Sequence, residues 1–277
     1  MARLQSPTRG PTVPLNRRVR MHKRSVGSAY AFLFATTILF GAGNASPASA
    51  ATQLLPDMRI AKLTTIKQDT TTIPGHRLLR FTATIVNVGP GPVELTGTRP
   101  DTATPTMSVT QRIYDDAGGS TTVQSGTYMF WAGDGHNHWH LFEMAQGVLA
   151  PLSNGANKVG TSAKEGFHFS DVGAFDLSLP GAPQSKHYLA CNGNTSCNPN
   201  ALSAREGISV GWGDTYRAGI AFQYIDITGV ATGKYVITVT ADPNGYLQES
   251  NITNNTATAT IRITTSSVNV LSYGDGA

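Results

Sequence analysis

Residues 233–242 read GKYVITVTAD and residues 256–265 read TATATIRITT. In both stretches apolar residues recur at every second position, mostly between threonines or a basic residue, which is typical of half-buried antiparallel strands. Similar runs recur between turn-forming residues: RLLRFTATIVNVG (77–89), PVELTG (92–97), TYMFWAG (127–133) and AFQYIDITG (221–229). No long stretch has the helical period. We therefore predict an all-β, antiparallel β-sandwich-like domain with long loops and few helices, in which TATATIRI closes one sheet edge.

The segment SKHYLACNGNTSCNPNALSAREG (185–207) lacks strand character and contains both cysteines of the chain, Cys191 and Cys197. In an oxidising compartment we expect these two to form one small-loop disulfide. A metal site based on a cysteine pair normally has tighter spacing and a second pair, which this sequence lacks. We predict a disulfide-stapled loop here and a polar, frayed tail over residues 266–277.

The charge of the chain is concentrated at its start. The 277 residues include 21 basic and 17 acidic side chains, a formal net charge of +4. Residues 1–50 hold seven of the basic residues and no acid, so the other 227 carry 14 basic and 17 acidic side chains, a net charge of −3. The isoelectric point near 9.1 therefore reflects a segment that looks removable. We predict no nucleic-acid binding.

Residues 21–50 have the organisation of a secretory signal peptide. The basic MHKRS beginning at Met21 precedes the apolar run AYAFLFATTILF (29–40), and small residues follow up to Ala48-Ser49-Ala50. The apolar run is shorter than the roughly 20 residues of a membrane-spanning helix. We predict that residues 1–50 are a signal peptide, with Met21 as an alternative start, and that the mature protein is secreted and has no membrane span.

The sharpest chemical signal is WAGDGHNHWH (131–140), which places His136, His138 and His140 at every second position. On an extended strand these three side chains would lie in one row on the same face. Two of them can easily meet one ion, whereas three need a twist or bend, which Gly133 and Gly135 make easy. Neutral imidazoles suit Cu(II) or Zn(II) better than Mg²⁺ or Ca²⁺.

Two simpler interpretations of the histidines stay open: a surface strand with histidines by chance, or a buried polar cluster satisfied by hydrogen bonds. A hydrolytic zinc site would also need a general base and a poised water. The HxHxDH pattern of metallo-hydrolases is absent, because Leu141 and Phe142 follow His140. The residues alone predict a metal site, but they do not distinguish copper from zinc as the bound ion.

Several ordered motifs resemble the lysyl oxidase family. The segment GHNHWHLFEMAQGVL (135–149) is similar to the copper-binding talon of that family, which is of the C-H-x-H-x-H type. KEGF (164–167) resembles the K-x-x-F segment that bears the cofactor lysine. GDTY (213–216) and then FQYIDITG (222–229) resemble the D-T-Y and Q-W-I-D-I-T segments, and residues 233–261 resemble the closing strands.

The resemblance extends from about Pro56 to Ile263 and implies a copper domain over residues 51–265. It implies that His136, His138 and His140 bind Cu(II). By the same resemblance, Lys164 and Tyr216 become cross-linked as the cofactor lysyl tyrosylquinone.

The implied activity is a copper- and quinone-dependent amine oxidase, an oxidoreductase acting on CH–NH2 groups. It would convert primary amines, either alkyl amines or peptidyl lysine of a protein, to aldehydes with O2, releasing hydrogen peroxide and ammonia. For the catalytic base the candidates are Asp214, two residues before Tyr216, and Asp134 beside the histidines. The alternative is a non-catalytic secreted copper- or zinc-binding β-sandwich protein.

The sequence departs from the family at its cysteines. Gly135 stands where animal members have the cysteine before the first talon histidine, and His168, Trp212 and Phe222 correspond to other family cysteines. The resemblance implies that Cys191, which pairs back to the talon in the family, has Cys197 as its partner here. We then expect the talon to be anchored by packing, for example of Trp131 and Trp139. His168 is a fourth metal ligand, a residue that supports the ligands, or a plain strand histidine.

Overall fold

The computed structural model describes residues 50–132, 135–155, 157–191 and 195–277. These residues contain β-strands, one 3₁₀ helix η1 (Thr195–Cys197) and no α-helix. The strands, in chain order, are β1 Gln53–Leu54, β2 Met58–Ile60, β3 Thr64–Asp69, β4 Leu78–Asn87, β5 Val93–Thr98, β6 Thr106–Asp115, β7 Ser120–Trp131, β8 Trp139–Phe142, β9 Ala145–Pro151, β10 Gly160–Thr161, β11 Gly166–Phe167, β12 Gly173–Ala174, β13 Ser203–Ile208, β14 Trp212–Tyr216, β15 Tyr224–Asp226, β16 Gly233–Ala241, β17 Thr256–Ile263 and β18 Val268–Tyr273.

The strands form three antiparallel sheets, called sheets I, II and III. Sheet I has the order β11-β8-β7-β6-β5-β13, and the short strand β1 also pairs with β6. Sheet II has the order β10-β9-β16-β17-β18. Sheet III has the order β12-β14-β4-β15, and β2 and β3 also pair with β4. No helix among the described residues is long and apolar enough to cross a bilayer.

One cluster of buried apolar side chains is shared by the three sheets. It includes Leu141 of sheet I, Ile237 and Ala259 of sheet II, and Phe81 and Ile85 of sheet III. In β16 and β17 the buried positions alternate with more exposed ones, as the period of two predicts. Each large apolar side chain buried in this way stabilises the fold by roughly 1.5–3 kcal/mol. The prediction of an all-β, sandwich-like domain is confirmed.

Three predictions about where strands lie are wrong. Strand β17 lies inside sheet II, because β18 pairs with it across Ile263 and Val268. The tail from residue 266 therefore contains a strand, and Val268 and Val270 pack against the core. The segment 185–207 also includes the start of β13, which pairs with β5 along its whole length. The polar residues of β13 and β18 conceal the alternation that marks a strand.

The sheets bring three segments of the site together. Strands β7 and β8 form a hairpin in sheet I, and the short strand β11 pairs with β8. Strand β14, which ends at Tyr216, belongs to sheet III. Just before β11, the amide of Ala163 donates to the carbonyl of Tyr224 at 2.9 Å, and Ser162 pairs with Ile225. These contacts hold the segment that bears Lys164 against sheet III.

Candidate functional site

The three histidines of WAGDGHNHWH lie at the turn of the β7–β8 hairpin. His140 is on β8, while His136 and His138 precede that strand, so the three side chains do not lie in one row on an extended strand. Gly135 has a φ of +90°, a left-handed conformation that glycine adopts without strain. The bend expected from the glycines is therefore present at Gly135, and Gly133 lies outside the described residues.

The bent loop brings the imidazoles together. One ring nitrogen of each of the three histidines lies within 4.8 Å of the others. The Nε2 atoms of His138 and His140 are 2.8 Å apart. Burial, together with the charges of His138 and Lys164, lowers the pKa of His140 to about 2, so this ring is a neutral ligand. Three converging imidazole nitrogens are a donor set that fits Cu(II) or Zn(II).

Gly166 of the KEGF motif fixes the place of the His140 ring. A Cβ atom on this residue would collide with Nδ1 of His140 and would lie 2.8 Å from Cζ of Phe130. The rings of Phe130 and His140 are edge to face, with centroids 5.8 Å apart. The imidazole is thus held between a phenyl ring and a bare α-carbon, so the motif needs glycine here.

The predicted disulfide between Cys191 and Cys197 is present, and its loop supports the histidine hairpin. The indole Nε1 of Trp139 donates to the carbonyl of Asn198 at 3.0 Å. The guanidinium of Arg99 lies over the Trp139 ring, 4.6 Å from its centroid, in cation–π geometry. The hairpin is therefore anchored by packing and hydrogen bonds around Trp139, as we expected for this tryptophan.

His168 and Glu206 add a buried ion pair beside the cluster. The ring of His168 stacks on that of His138 with centroids 4.3 Å apart. Burial alone would lower the pKa of His168, but the Glu206 carboxylate, 3.0 Å from Nδ1, raises it to about 9. His168 is not in the group of converging ligand nitrogens. His168 instead packs against His138. Glu206 was not identified from the sequence as part of the site, because its segment lacks strand character there.

Lys164 and Tyr216 meet in the core. They are only 5% and 6% exposed, and Nζ of Lys164 lies 5.6 Å from the centroid of the Tyr216 ring. Phe167 packs edge to face on Tyr216, with ring centroids 4.9 Å apart. A small cavity of about 10 Å³ borders both side chains, enough for about one water molecule. The structure thus places together the two residues of the expected cofactor.

Asp214 is bonded directly to the phenol. The Tyr216 hydroxyl donates to Oδ2 of Asp214 at 2.6 Å. Burial raises the pKa of Asp214 to about 7, although the hydrogen bond from Tyr216 and the charge of His168 oppose the shift. Burial and the neighbouring Asp214 carboxyl raise the pKa of Tyr216 well above its ordinary value. Asp214 thus sits where a base beside the ring would be needed, and Asp134 lies outside the described residues.

A pocket of about 230 Å³ joins the histidine cluster to Lys164. His140 and Lys164 lie in its wall, together with the exposed carboxylate of Glu165 and the rings of Phe130 and Phe222. Phe222 is 46% exposed and has a φ of +61°, a left-handed conformation that bulky residues rarely adopt and that gathers at functional sites. The pocket has apolar walls and one anionic group. It therefore suits a ligand that has an alkyl chain with a cationic end.

A protein-family model described as Lysyl oxidase matches residues 183–272. Among curated proteins, the chain is 32% identical to lysyl oxidase homolog 3B of Danio rerio over 120 residues, 43% of this chain and 13% of that protein. It is 28% identical to lysyl oxidase homolog 2 of Xenopus laevis over 149 residues, 54% of this chain and 17% of that protein. Lysyl oxidase homolog 3 of Homo sapiens is 33% identical over 120 residues, 43% and 14% of the two chains.

These matches cover part of each molecule. The family model spans Asp214, Tyr216 and the disulfide, while the histidine cluster and Lys164 lie before its first matched residue. The alignments cover between 13% and 17% of the three relatives named. The comparisons thus show a match to the lysyl oxidase family model over the C-terminal part of the chain only.

Proposed function

We propose that this protein is a secreted, copper-dependent amine oxidase that uses lysyl tyrosylquinone formed from Lys164 and Tyr216. The observation that carries the proposal is the approach of the Lys164 amine to the Tyr216 ring, 5.6 Å from its centroid, in the core between two sheets. A lysine buried against a tyrosine ring is unusual in a structural core, where charged groups are costly. The likeness to lysyl oxidases supplies a reason for this pair.

His136, His138 and His140 would hold the copper ion. Bound there, Cu(II) with O2 supplies the oxidising power that turns the phenol of Tyr216 into a quinone joined to Lys164. The overall reaction is a primary amine plus O2 plus water giving an aldehyde, ammonia and hydrogen peroxide, which balances in atoms and electrons. His168, stacked on His138, would orient that ligand from behind.

Residues near Lys164 and Tyr216 would accept the proton and bind the substrate. Asp214, ionised above about pH 7, accepts a proton beside the ring. Glu165 attracts the ammonium end of an approaching amine, and Phe130 and Phe222 contact its methylene chain. This pocket suits an unbranched alkyl amine or the side chain of a peptidyl lysine.

We also propose that the protein is exported. The predicted signal peptide lies almost wholly outside the described residues, which start at residue 50. Support comes from the Cys191–Cys197 disulfide, because such bonds form and persist in oxidising compartments.

Peptide mass spectrometry of copper-loaded, aerobically matured protein tests the proposal. The expected result is a peptide in which Lys164 is joined to Tyr216. Recovery of unmodified peptides for both residues from protein with full copper occupancy would reject the oxidase. Protein matured without copper is the matched control and should yield only unmodified peptides.

A second candidate is a non-catalytic copper or zinc binder. One observation favours it: burial and Asp214 hold the pKa of Tyr216 well above its ordinary value, and a phenol that keeps its proton is harder to oxidise. This candidate keeps the histidine cluster but predicts no quinone absorbance and no peroxide from amines.

A further inference from the structure

The disulfide lies against one of the three clustered histidines. Both Sγ atoms, of Cys191 and Cys197, and a ring nitrogen of His138 lie within 4.8 Å of one another. Cys191 is exposed and Cys197 is half-buried, so a small reductant can reach the bond. The disulfide that closes the loop and His138, a candidate copper ligand, are therefore next to each other.

We propose that reduction of this disulfide creates a second metal site, formed by the thiolates of Cys191 and Cys197 with the imidazole of His138. A dithiol reductant gives two electrons and two protons to the S–S bond, which breaks into two thiols while the reductant becomes a disulfide. A soft cation, Cu(I) or Zn(II), then displaces the two thiol protons and binds both sulfurs. Thiolates select these ions over harder ones.

The loop is fastened independently of the sulfur–sulfur bond. After Cys197, the carbonyl of Asn198 accepts the indole N–H of Trp139 at 3.0 Å, and Arg99 Nη2 donates to Pro199 at 2.6 Å. These bonds do not depend on the oxidation state of the cysteines. We therefore expect the Cys197 thiol to remain beside His138 after reduction.

The other side of the loop is also held. Oδ2 of Asp171 accepts the backbone N–H groups of His187 and Tyr188, at 2.8 and 3.1 Å, shortly before Cys191. Cys191 itself has a φ of +64°, a conformation rarely taken by residues other than glycine. The Asp171 hydrogen bonds, which reduction does not break, therefore keep the chain that leads to Cys191 in its present place.

The two sites exclude each other because both need His138. A neutral imidazole has one lone pair available for a metal ion, so its ring serves either the thiolates or the other two histidines. An ion taken up by the reduced protein would sit at the cysteines. A disulfide oxidant that takes two electrons from the thiolates would re-form the S–S bond, release the ion and leave His138 to the three-histidine cluster. The proposal does not depend on the amine oxidase activity.

Cobalt(II) is the probe for this site, since thiolate ligands give it a near-ultraviolet charge-transfer band. The full chain is treated with a dithiol, desalted without oxygen, and titrated with Co(II). We expect the band in the reduced protein and not in the oxidised protein, and we expect Zn(II) to remove it. Absence of the band from the reduced protein would overturn the proposal.

Two histidine variants separate the designed site from chance binding to two thiols. His138→Ala should weaken Co(II) binding by the reduced protein at least about tenfold. His136→Ala removes a ligand of the competing three-histidine cluster and leaves both cysteines and His138 in place, so the band should persist with a midpoint no weaker than that of the parent protein. Equal midpoints for His138→Ala and the parent would also overturn the proposal, whether or not reduction loosens the fold.

Discussion

The histidine cluster and the Lys164–Tyr216 pair are neighbours that are built in opposite ways. His136 and His138 lie half-buried in a hairpin turn, and side-chain packing and a disulfide loop hold that turn in place. Lys164 and Tyr216 lie in the core, where paired strands of two sheets fix them. A turn can open to receive an ion, whereas the core pair is positioned by the fold before any ion arrives. The metal site and the Lys164–Tyr216 pair can therefore be perturbed separately.

The largest effect is expected from Tyr216→Phe, which removes the group that becomes the cofactor and leaves the hairpin intact. Peroxide release from amines should fall by roughly a thousandfold or more, to background, with copper still bound. Coupled peroxide detection and metal analysis on the same sample measure both. Tyr188→Phe, a change at another buried tyrosine whose hydroxyl bonds Glu94, is the control and should keep turnover. Retained activity in Tyr216→Phe would exclude the cofactor assignment.

Gly166→Ala is expected to disturb the histidine cluster without changing the Lys164–Tyr216 pair. The new Cβ would push on the His140 ring, so copper affinity should fall about 10- to 100-fold. Competition with a chelator measures the affinity. Gly173→Ala, where a Cβ meets nothing within 4 Å, is the matched control and should bind copper like the parent. Equal affinity in the two variants would mean that Gly166 does not shape the site.

The pH dependence of turnover tests Asp214. Because the pKa of this carboxyl is raised to about 7, it stays protonated below that pH and ionises as the pH rises through it. As a base it works only when ionised, so kcat/KM should fall about tenfold per pH unit below pH 7. Asp214→Asn should lower the rate and remove this limb. A profile whose acid limb lies near pH 4 would assign the base elsewhere.

The smallest effect is expected at the mouth of the pocket. Glu165→Gln should raise KM for small cationic amines by about threefold, with kcat little changed, because an exposed charge in water attracts weakly. The effect should shrink as salt is added. Steady-state kinetics at two ionic strengths measure it. Glu143→Gln changes a glutamate that bonds Asn244 and is not in the pocket wall, and an equal rise there would show only a general charge effect.

The sequence was most informative where side chains alternate or cluster locally. The strands β16 and β17 were predicted because their apolar residues recur at every second position, and the histidines because they are adjacent along the chain. Strand β13 was missed because its buried face includes Glu206, whose charge breaks the pattern. Its partner His168 lies on a different segment, so only the folded chain brings the two together. The approach of Lys164 to Tyr216 is likewise a consequence of sheet packing, and only the family resemblance foresaw it.

The small cavity beside Tyr216 has a stereochemical consequence for the proposed reaction. It leaves space for about one water molecule on its side of the ring, so we expect an amine to arrive past Lys164, which borders both this cavity and the larger pocket. Asp214 holds a single fixed place next to the same ring. The two hydrogens on the carbon that bears the nitrogen are then presented unequally to the base. An enzyme built this way removes one of them and keeps the other, so a chirally deuterated amine would retain its label or lose it according to its handedness.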